Sequence, residues 1–245
     1  MKLNSIKYVD SHCHLDLYKN YDEVIADAKK KNVLIVAVTN LPSIYSQEIK
    51  LINDDNVIVA LGLHPQLVNE HKGQLGLFLD LLPKAKFIGE IGLDYQMAKG
   101  QDDQREIFEK IVAESSKYKN KILSIHSRKS SEDVVKMVGS NFPGHIILHW
   151  YSGSNSTLRK ALSNGYFFSI NPSMLNSASG KSSIDLLPLD RILTETDAPF
   201  VNVNNKVAFP SDVEIIIKYL AKIHCKPRQE VMDIVKANFF KMLDD

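Results

Sequence analysis

His12 and His14 flank Cys13, and in an extended chain side chains two residues apart share a face, so the two imidazoles can grip one ion while the thiol points away. Four more residues of ligand type follow: Glu90 in Gly89-Glu90-Ile91-Gly92-Leu93-Asp94, His126 in Ile125-His126-Ser127-Arg128, His149 in Leu148-His149-Trp150, and Asp197 in Thr194-Glu195-Thr196-Asp197. Taken singly, each has an ordinary explanation. Glu90 would cap a turn, His126 and His149 would be satisfied core histidines, and Asp197 before Ala198-Pro199 would be a turn residue. Taken together, four imidazoles and two carboxylates exceed the four ligands, commonly thiolates, that close a structural zinc site. They suit two catalytic ions with positions left for water and substrate. Such a pair can hold a phosphate oxygen and a hydroxide and neutralise the charge that builds up in an in-line displacement. A carboxylate in reach of the attacking water, here Asp197, would position or deprotonate it.

Residues so far apart in sequence need a fold that gathers them. Short β-branched runs recur at Ile6 to Asp10, Val33 to Val38, Val57 to Leu61, Phe87 to Ile91, Ile122 to His126, His145 to His149, Tyr166 to Ile170 and Arg191 to Thr194. Helical apolar spacing separates them, most clearly at Asp22 to Lys31, Asp102 to Tyr118, Ser131 to Val138, Asn155 to Ser163, Val213 to Ala221 and Arg228 to Leu243. Eight strand-helix units in 245 residues predict an α/β fold, a single-domain (β/α)8 barrel over residues 1–245. In a barrel the strand C-termini share one face, and the candidate ligands lie at those ends. Cys13 then reads as a small buried hydrophobe, while His71, His145 and His224 fall away from the strand C-termini and read as structural or surface. The stretch Val201 to Phe209, with Asn202, Asn204 and Asn205, has no clear periodicity and follows the eighth strand; active-site loop and solvated connection both fit it.

At these residues the sequence resembles the TatD-type deoxyribonucleases, metal-dependent members of the amidohydrolase superfamily. The resemblance is carried by an ordered set from the first strand to the last helix: Val9-Asp10-Ser11-His12-Cys13-His14-Leu15-Asp16, Gly62-Leu63-His64-Pro65, Gly89-Glu90-Ile91-Gly92-Leu93-Asp94-Tyr95, Ile125-His126-Ser127-Arg128, His149-Trp150-Tyr151-Ser152-Gly153, Glu195-Thr196-Asp197-Ala198-Pro199 and Ala237-Asn238-Phe239-Phe240. It implies a first metal on His12, His14, Glu90 and Asp197, a second on Glu90, His126 and His149, and hydrolysis of DNA phosphodiester bonds, with trimming of single strands from the 3′ end. The catalytic carboxylates would be Asp197 and Glu90.

Beside the ligands, His64 before Pro65 is placed to donate a hydrogen bond to a substrate phosphate, Arg128 to clamp phosphate with two prongs, and Asp94 to orient a ligating histidine. Ser152-Gly153-Ser154 opens a helix and either offers N–H groups to an anion or caps that helix. Trp150 would stack a base or pack in the core. One departure stands out. Where the family has an Arg-Gly-Lys-Asn-like stretch after Asp197-Ala198-Pro199, this chain has Val201-Asn202-Val203-Asn204-Asn205-Lys206, and a lysine does not reproduce the planar fork of the missing arginine. Two alternatives therefore remain beside the nuclease: a hydrolase of another ester or amide on the same barrel, and a metal-stabilised DNA-binding subunit of a larger assembly such as a genome-defence system. Imidazole with carboxylate accommodates Zn, Mg or Mn.

Composition narrows the partners. With 30 Lys and Arg against 29 Asp and Glu the net charge is +1, which gives no basic stripe of the kind that binds nucleic acid by counterion release alone, so DNA must be held at a local site. The two cysteines, Cys13 and Cys225, make no disulfide framework and predict a reducing compartment, the cytoplasm. Residues 1–20 carry charges and histidines where a signal peptide needs an apolar run, and no stretch reaches the ~18 apolar residues of a membrane span.

Overall fold

A computed structural model describes residues 5–97 and 99–244. Eight strands alternate with helices: β1 Tyr8–Cys13, β2 Val33–Val38, β3 Val57–Ala60, β4 Phe87–Asp94, β5 Ile122–Arg128, β6 His145–His149, β7 Phe167–Ile170 and β8 Ile192–Thr194. Each of the eight strand predictions falls on one of them, and the order is that of a (β/α)8 fold. The chain forms two compact units, both discontinuous in sequence: residues 5–37, 52–58 and 168–244 in one, 38–51 and 59–167 (Ala98 apart) in the other.

In the first unit β1 pairs in parallel with β2, and β7 with β8. Thr194 Oγ1 also donates to Val9 O at 2.6 Å, tying β8 to β1. Every residue of β2 is buried, as expected where a parallel strand is covered on both faces. Beside it Leu15, Val24, Ile25 and Ala37 form a core patch with Tyr18, Tyr21, Ile52, Val57 and Phe209 packed around it; burial of Leu15, Val24 and Ile25 is worth about 1.5–3 kcal/mol each.

In the second unit β4, β5 and β6 run parallel. All eight residues of β4 are buried, Glu90 and Asp94 included. The lower end of β5 is locked by a lysine. Lys121 is 2% exposed, and its ammonium donates to the carbonyls of Leu82 at 2.7 Å, Pro83 at 3.2 Å and Ala85 at 2.7 Å, 4.6 Å from the centroid of the Tyr118 ring. Lys121→Met would remove all three bonds to these carbonyls, with Leu82 O keeping only Ala85 N at 3.3 Å, so a loss of about 2–4 kcal/mol is expected. A shift below ~0.5 kcal/mol in chemical denaturation would mean that the chain rearranges to satisfy them.

Helices at Ser131–Val138 and Asn155–Ser163 coincide with their predicted spans, and those at Tyr21–Lys31, Gln101–Ser115, Glu214–Ile223 and Arg228–Asp244 overlap theirs. The helices Pro42–Leu51, Leu75–Leu81 and Ala178–Ile184 have no counterpart in the predicted spans. Their apolar spacing explains this. Pro42–Leu51 buries Pro42, Tyr45 and Glu48, whereas Ile49 and Leu51 are exposed, so the apolar residues do not mark the buried face. Leu75–Leu81 alternates apolar residues like a strand yet buries only Phe78. Ala178–Ile184 is built on serines and a glycine and starts on a cap, with Gly180 N donating to Ser177 Oγ at 3.0 Å. Val201 to Phe209 contains two short antiparallel segments, Asn202–Val203 and Lys206–Val207, joined through Asn204 and Asn205 at positive φ. No helix among the described residues is long and apolar enough to cross a membrane.

Candidate metal centre

The strands that carry His12 and Glu90, both candidate ligands, are irregular at those residues. Between Asp10 and Cys13 β1 spends three steps where β2 spends two, and between Ile88 and Ile91 β4 does the same against β5. An extra residue of this kind bends a strand and re-aims its side chains. His12 lies in the first irregularity and Glu90 in the second.

In the first unit His12, His14 and Asp197 come together. Asp197 follows β8 with φ of 51°, a left-handed conformation that aspartate tolerates better than most residues. Its N–H donates to His12 O at 2.9 Å, and His14 N–H donates to Ala198 O at 2.8 Å, so the backbone after β8 is laid along the end of β1. His12 Nε2 is then 3.7 Å and His14 Nε2 3.5 Å from the same oxygen, Asp197 Oδ1. All three residues are buried. Cys13 is buried with its Sγ 3.7 Å from Ala198 O, consistent with the apolar role predicted for it. The ring of Phe200, 60% exposed, stands edge-on to His14 with centroids 5.1 Å apart.

Two further carboxylates are buried beside these three residues. Asp10 accepts from Thr196 N, Thr196 Oγ1 and His12 N, and burial pushes its carboxyl up to about 7 although those hydrogen bonds oppose the rise. Glu195 accepts from Ser169 Oγ and, at 3.1 Å, from Asn171 Nδ2; burial, with repulsion from Asp197, holds it well above the usual carboxylate range. The sequence reading gave neither a role. Their signal was a charge set against apolar strand residues, Val9 before Asp10 and Ile192-Leu193 before Glu195.

In the second unit the focus is Glu90 Oε1. His126 Nδ1 lies 2.6 Å from it, His149 Nε2 2.8 Å and His64 Nε2 3.3 Å. His149 Nε2 and His126 Nδ1 are themselves 3.3 Å apart. Glu90, His126 and His149 are thus brought together as predicted, and His64, expected beside substrate phosphate, joins them.

Asp94 lies against His126. Its Oδ2 lies 3.0 Å from His126 Nε2 and accepts from Gln66 Nε2 at 2.6 Å, while Gln96 N donates to Oδ1 and Gln104 Oε1 accepts from Asp94 N, both at 2.8 Å. Burial works against the charge on Asp94, but the bonds from His126 and Gln66 outweigh it and hold the carboxyl down to about 2. Burial likewise lowers His126, and its contacts with Asp94 and Glu90 overcome that, leaving it at about 9. An imidazole with a carboxylate on each nitrogen is a cation in the metal-free protein. Were a cation to take the place of the proton on the nitrogen facing Glu90, the other nitrogen would still donate to Asp94, the arrangement that commonly orients metal-binding histidines. The donor chemistry therefore fits a divalent cation: the nearest ligand atoms of His64, Glu90 and His126 all lie within 4.8 Å of one another.

Gly92 makes this strand pairing feasible. It faces His126 across the β4–β5 register at φ of 137°, and a Cβ there would fall 2.1 Å from His126 O. His64 caps the turn at Pro65–Leu67, its Nδ1 accepting from Gln66 N at 3.2 Å, so in the neutral ring the proton sits on Nε2. Capping and donating thus occupy different nitrogens of one ring. Arg128 ends β5 exposed. Ser154 Oγ accepts from Thr157 N at 3.2 Å and so caps the helix, one of the two roles open to Ser152-Gly153-Ser154. Trp150 is half-buried at positive φ directly after β6.

Comparison with known proteins bears on both fold and family. The structure resembles the crystal structure of the TatD homologue YJJV from Escherichia coli K12, with a TM-score of 0.84 at 21% identity, covering 96% of this chain and 97% of that one. It likewise resembles the hydrolase TatD family protein of Entamoeba histolytica, with a TM-score of 0.83 at 21% identity over 97% and 98% of the two chains. The (β/α)8 barrel predicted from the strand count is the fold of these proteins. In sequence the chain is 29% identical to an uncharacterised metal-dependent hydrolase of Methanocaldococcus jannaschii, over 98% of this chain and 99% of that protein. It is 27% identical to the human deoxyribonuclease TATDN3, over 99% and 96%. The model of the family described as TatD-related DNase matches residues 9–244, and the chain, an enzyme with the metal-dependent hydrolases among its relatives, belongs to that family.

Proposed function

We propose that this protein is a divalent-metal-dependent deoxyribonuclease that hydrolyses DNA phosphodiester bonds, trimming single strands from the 3′ end. The observation that carries the reading is the crowding of three imidazole nitrogens around one buried oxygen of Glu90 in a chain of this family. The relative TATDN3 is itself named a deoxyribonuclease, which supports the choice of substrate.

His12, His14, Glu90, His126, His149 and Asp197 are the residues we assign to hold two divalent ions, Zn, Mg or Mn. Such ions supply charge neutralisation for a phosphate and lower the pKa of water at the site. The protein's own groups do the rest. Asp197 accepts the proton of the attacking water, for which a carboxylate within hydrogen-bond reach is required. His64, with its Nε2–H directed by the cap on Nδ1, donates to a phosphate oxygen, and Arg128 clamps the phosphate from the exposed end of β5. Asp94 keeps His126 in its orientation. The exposed Phe200 ring offers a face on which a base of a single strand can stack. We place the protein in the cytoplasm, where its two free cysteines, one buried and one exposed, are stable.

Metal-stripped protein supplied in turn with Mg2+, Mn2+ or Zn2+ and given end-labelled single- and double-stranded oligonucleotides is expected to release nucleotides from 3′ ends only when metal is restored. Turnover of small phosphoesters or cyclic amides with DNA left intact would instead make it a hydrolase of another ester or amide. Tight retention of DNA without turnover under all three metals would make it a binding subunit of a larger assembly.

A further inference from the structure

Asp10 is a buried carboxylate that the mechanism above leaves without a task. It lies in β1 two residues before His12, has no solvent exposure, and has no cation among the three donors that satisfy it. Oδ1 accepts from Thr196 N at 2.8 Å and from His12 N at 3.3 Å, and Oδ2 accepts from Thr196 Oγ1 at 2.5 Å. Burying a charge on neutral donors is costly, and the geometry shows what the cost holds in place. One carboxylate grips the backbone of His12 on one side and both donors of Thr196 on the other.

Thr196 directly precedes Asp197, and its Oγ1 also accepts from Ala198 N at 3.3 Å, so it brackets the left-handed residue from both sides. A non-glycine residue persists in that conformation only where its surroundings over-determine it. The Asp10–Thr196 bonds, together with Asp197 N to His12 O at 2.9 Å, supply that constraint. His14 N to Ala198 O at 2.8 Å and Phe200 N to Asp197 O at 3.0 Å hold the turn beyond Asp197, and the Asp10–Thr196 bonds hold the backbone that leads into it.

We infer that Asp10 is a positioning residue: through Thr196 it sets the backbone of Asp197, and thereby the meeting of Asp197 with His12 and His14. The inference rests on the metal-centre reading of those three residues. It makes Thr196 a second member of the device, acting through its hydroxyl rather than its methyl group.

The test uses Co2+ as the probe. Metal-stripped full-length protein is titrated with Co2+, the dissociation constants are taken by calorimetry and the site geometry from the visible ligand-field absorption, with kcat and KM on single-stranded DNA measured in parallel. Asp10→Asn is expected to weaken Co2+ about 10–100-fold, to change the absorption band, and to lower kcat with KM little altered. Thr196→Val should move the same readouts in the same direction, and Thr196→Ser, which restores the hydroxyl, should recover most of the loss. Wild-type affinity and spectrum in both Asp10→Asn and Thr196→Val would overturn the inference, as would Thr196→Ser being impaired as deeply as Thr196→Val. Should Asp10→Asn fail to fold, the Thr196 pair decides alone. If the unmodified protein binds no Co2+, the metal-centre reading falls and takes this one with it; if it binds and the variants match it, this inference alone falls.

Discussion

Asp197→Asn is expected to lower kcat for DNA hydrolysis by about 10²–10⁴-fold with the fold retained. The residue sits after β8 with φ of 51°, a conformation that asparagine adopts as readily as aspartate, so the turn and its bond to His12 O survive the change. What is lost is chemical. The amide has no basicity towards water and presents one oxygen where the carboxylate has two, and a misplaced NH2 would face His12 and His14. Steady-state digestion of an end-labelled oligonucleotide, with thermal melting of both proteins, checks the expectation. Undiminished cleavage by a folded variant would remove Asp197 from the mechanism.

Glu90→Gln is expected to strip the protein of metal and bring nuclease activity to background. Removal of an outer hydrogen-bond partner alone typically costs a bound metal about 10–100-fold in affinity, and loss of a direct carboxylate ligand should exceed that. The side chain is 2% exposed in a strand that is buried throughout, so glutamine, equal in volume, preserves the packing. It removes the charge that His126, His149 and His64 surround. In the metal-free protein the same change should lower the His126 pKa, now about 9, because one of its two carboxylate neighbours becomes neutral. Elemental analysis after dialysis reads the metal content directly, and a content equal to that of the unmodified protein would exclude Glu90 as a ligand.

The contrast between the two variants bears on the loop that departs from the family pattern. Val201 to Phe209 carries no arginine; the exposed Phe200 directly precedes it, and Lys206 lies in its second short segment. Variants of the ligands should abolish turnover on every substrate, whereas this segment should tune which nucleic acid is held, since a lysine and an aromatic ring offer a point charge and a stacking face in place of a planar fork.

The sequence by itself determined the strand count, because parallel strands buried on both faces read as β-branched runs: β2 and β6 match their predicted spans residue for residue. It also determined which residue types were available for the chemistry, but not where each falls on its strand: β4 runs on to Asp94, so Glu90, expected at a strand end, lies in mid-strand. Helices whose exposed face is apolar or whose body is serine and glycine escaped it, since periodicity reports burial only when burial and hydrophobicity coincide, as they do not at Ile49, Leu51 and Leu77. Tertiary structure alone decided how the candidate residues are gathered within each unit. The extra residue in β1 at His12 and in β4 at Glu90 exists only relative to a neighbouring strand, so no single strand's sequence announces it. The same holds for the grip of Asp10 on Thr196, 186 residues away, and for the approach of His64 to Glu90: such contacts are products of strand register, which the chain acquires only when its strands lie side by side.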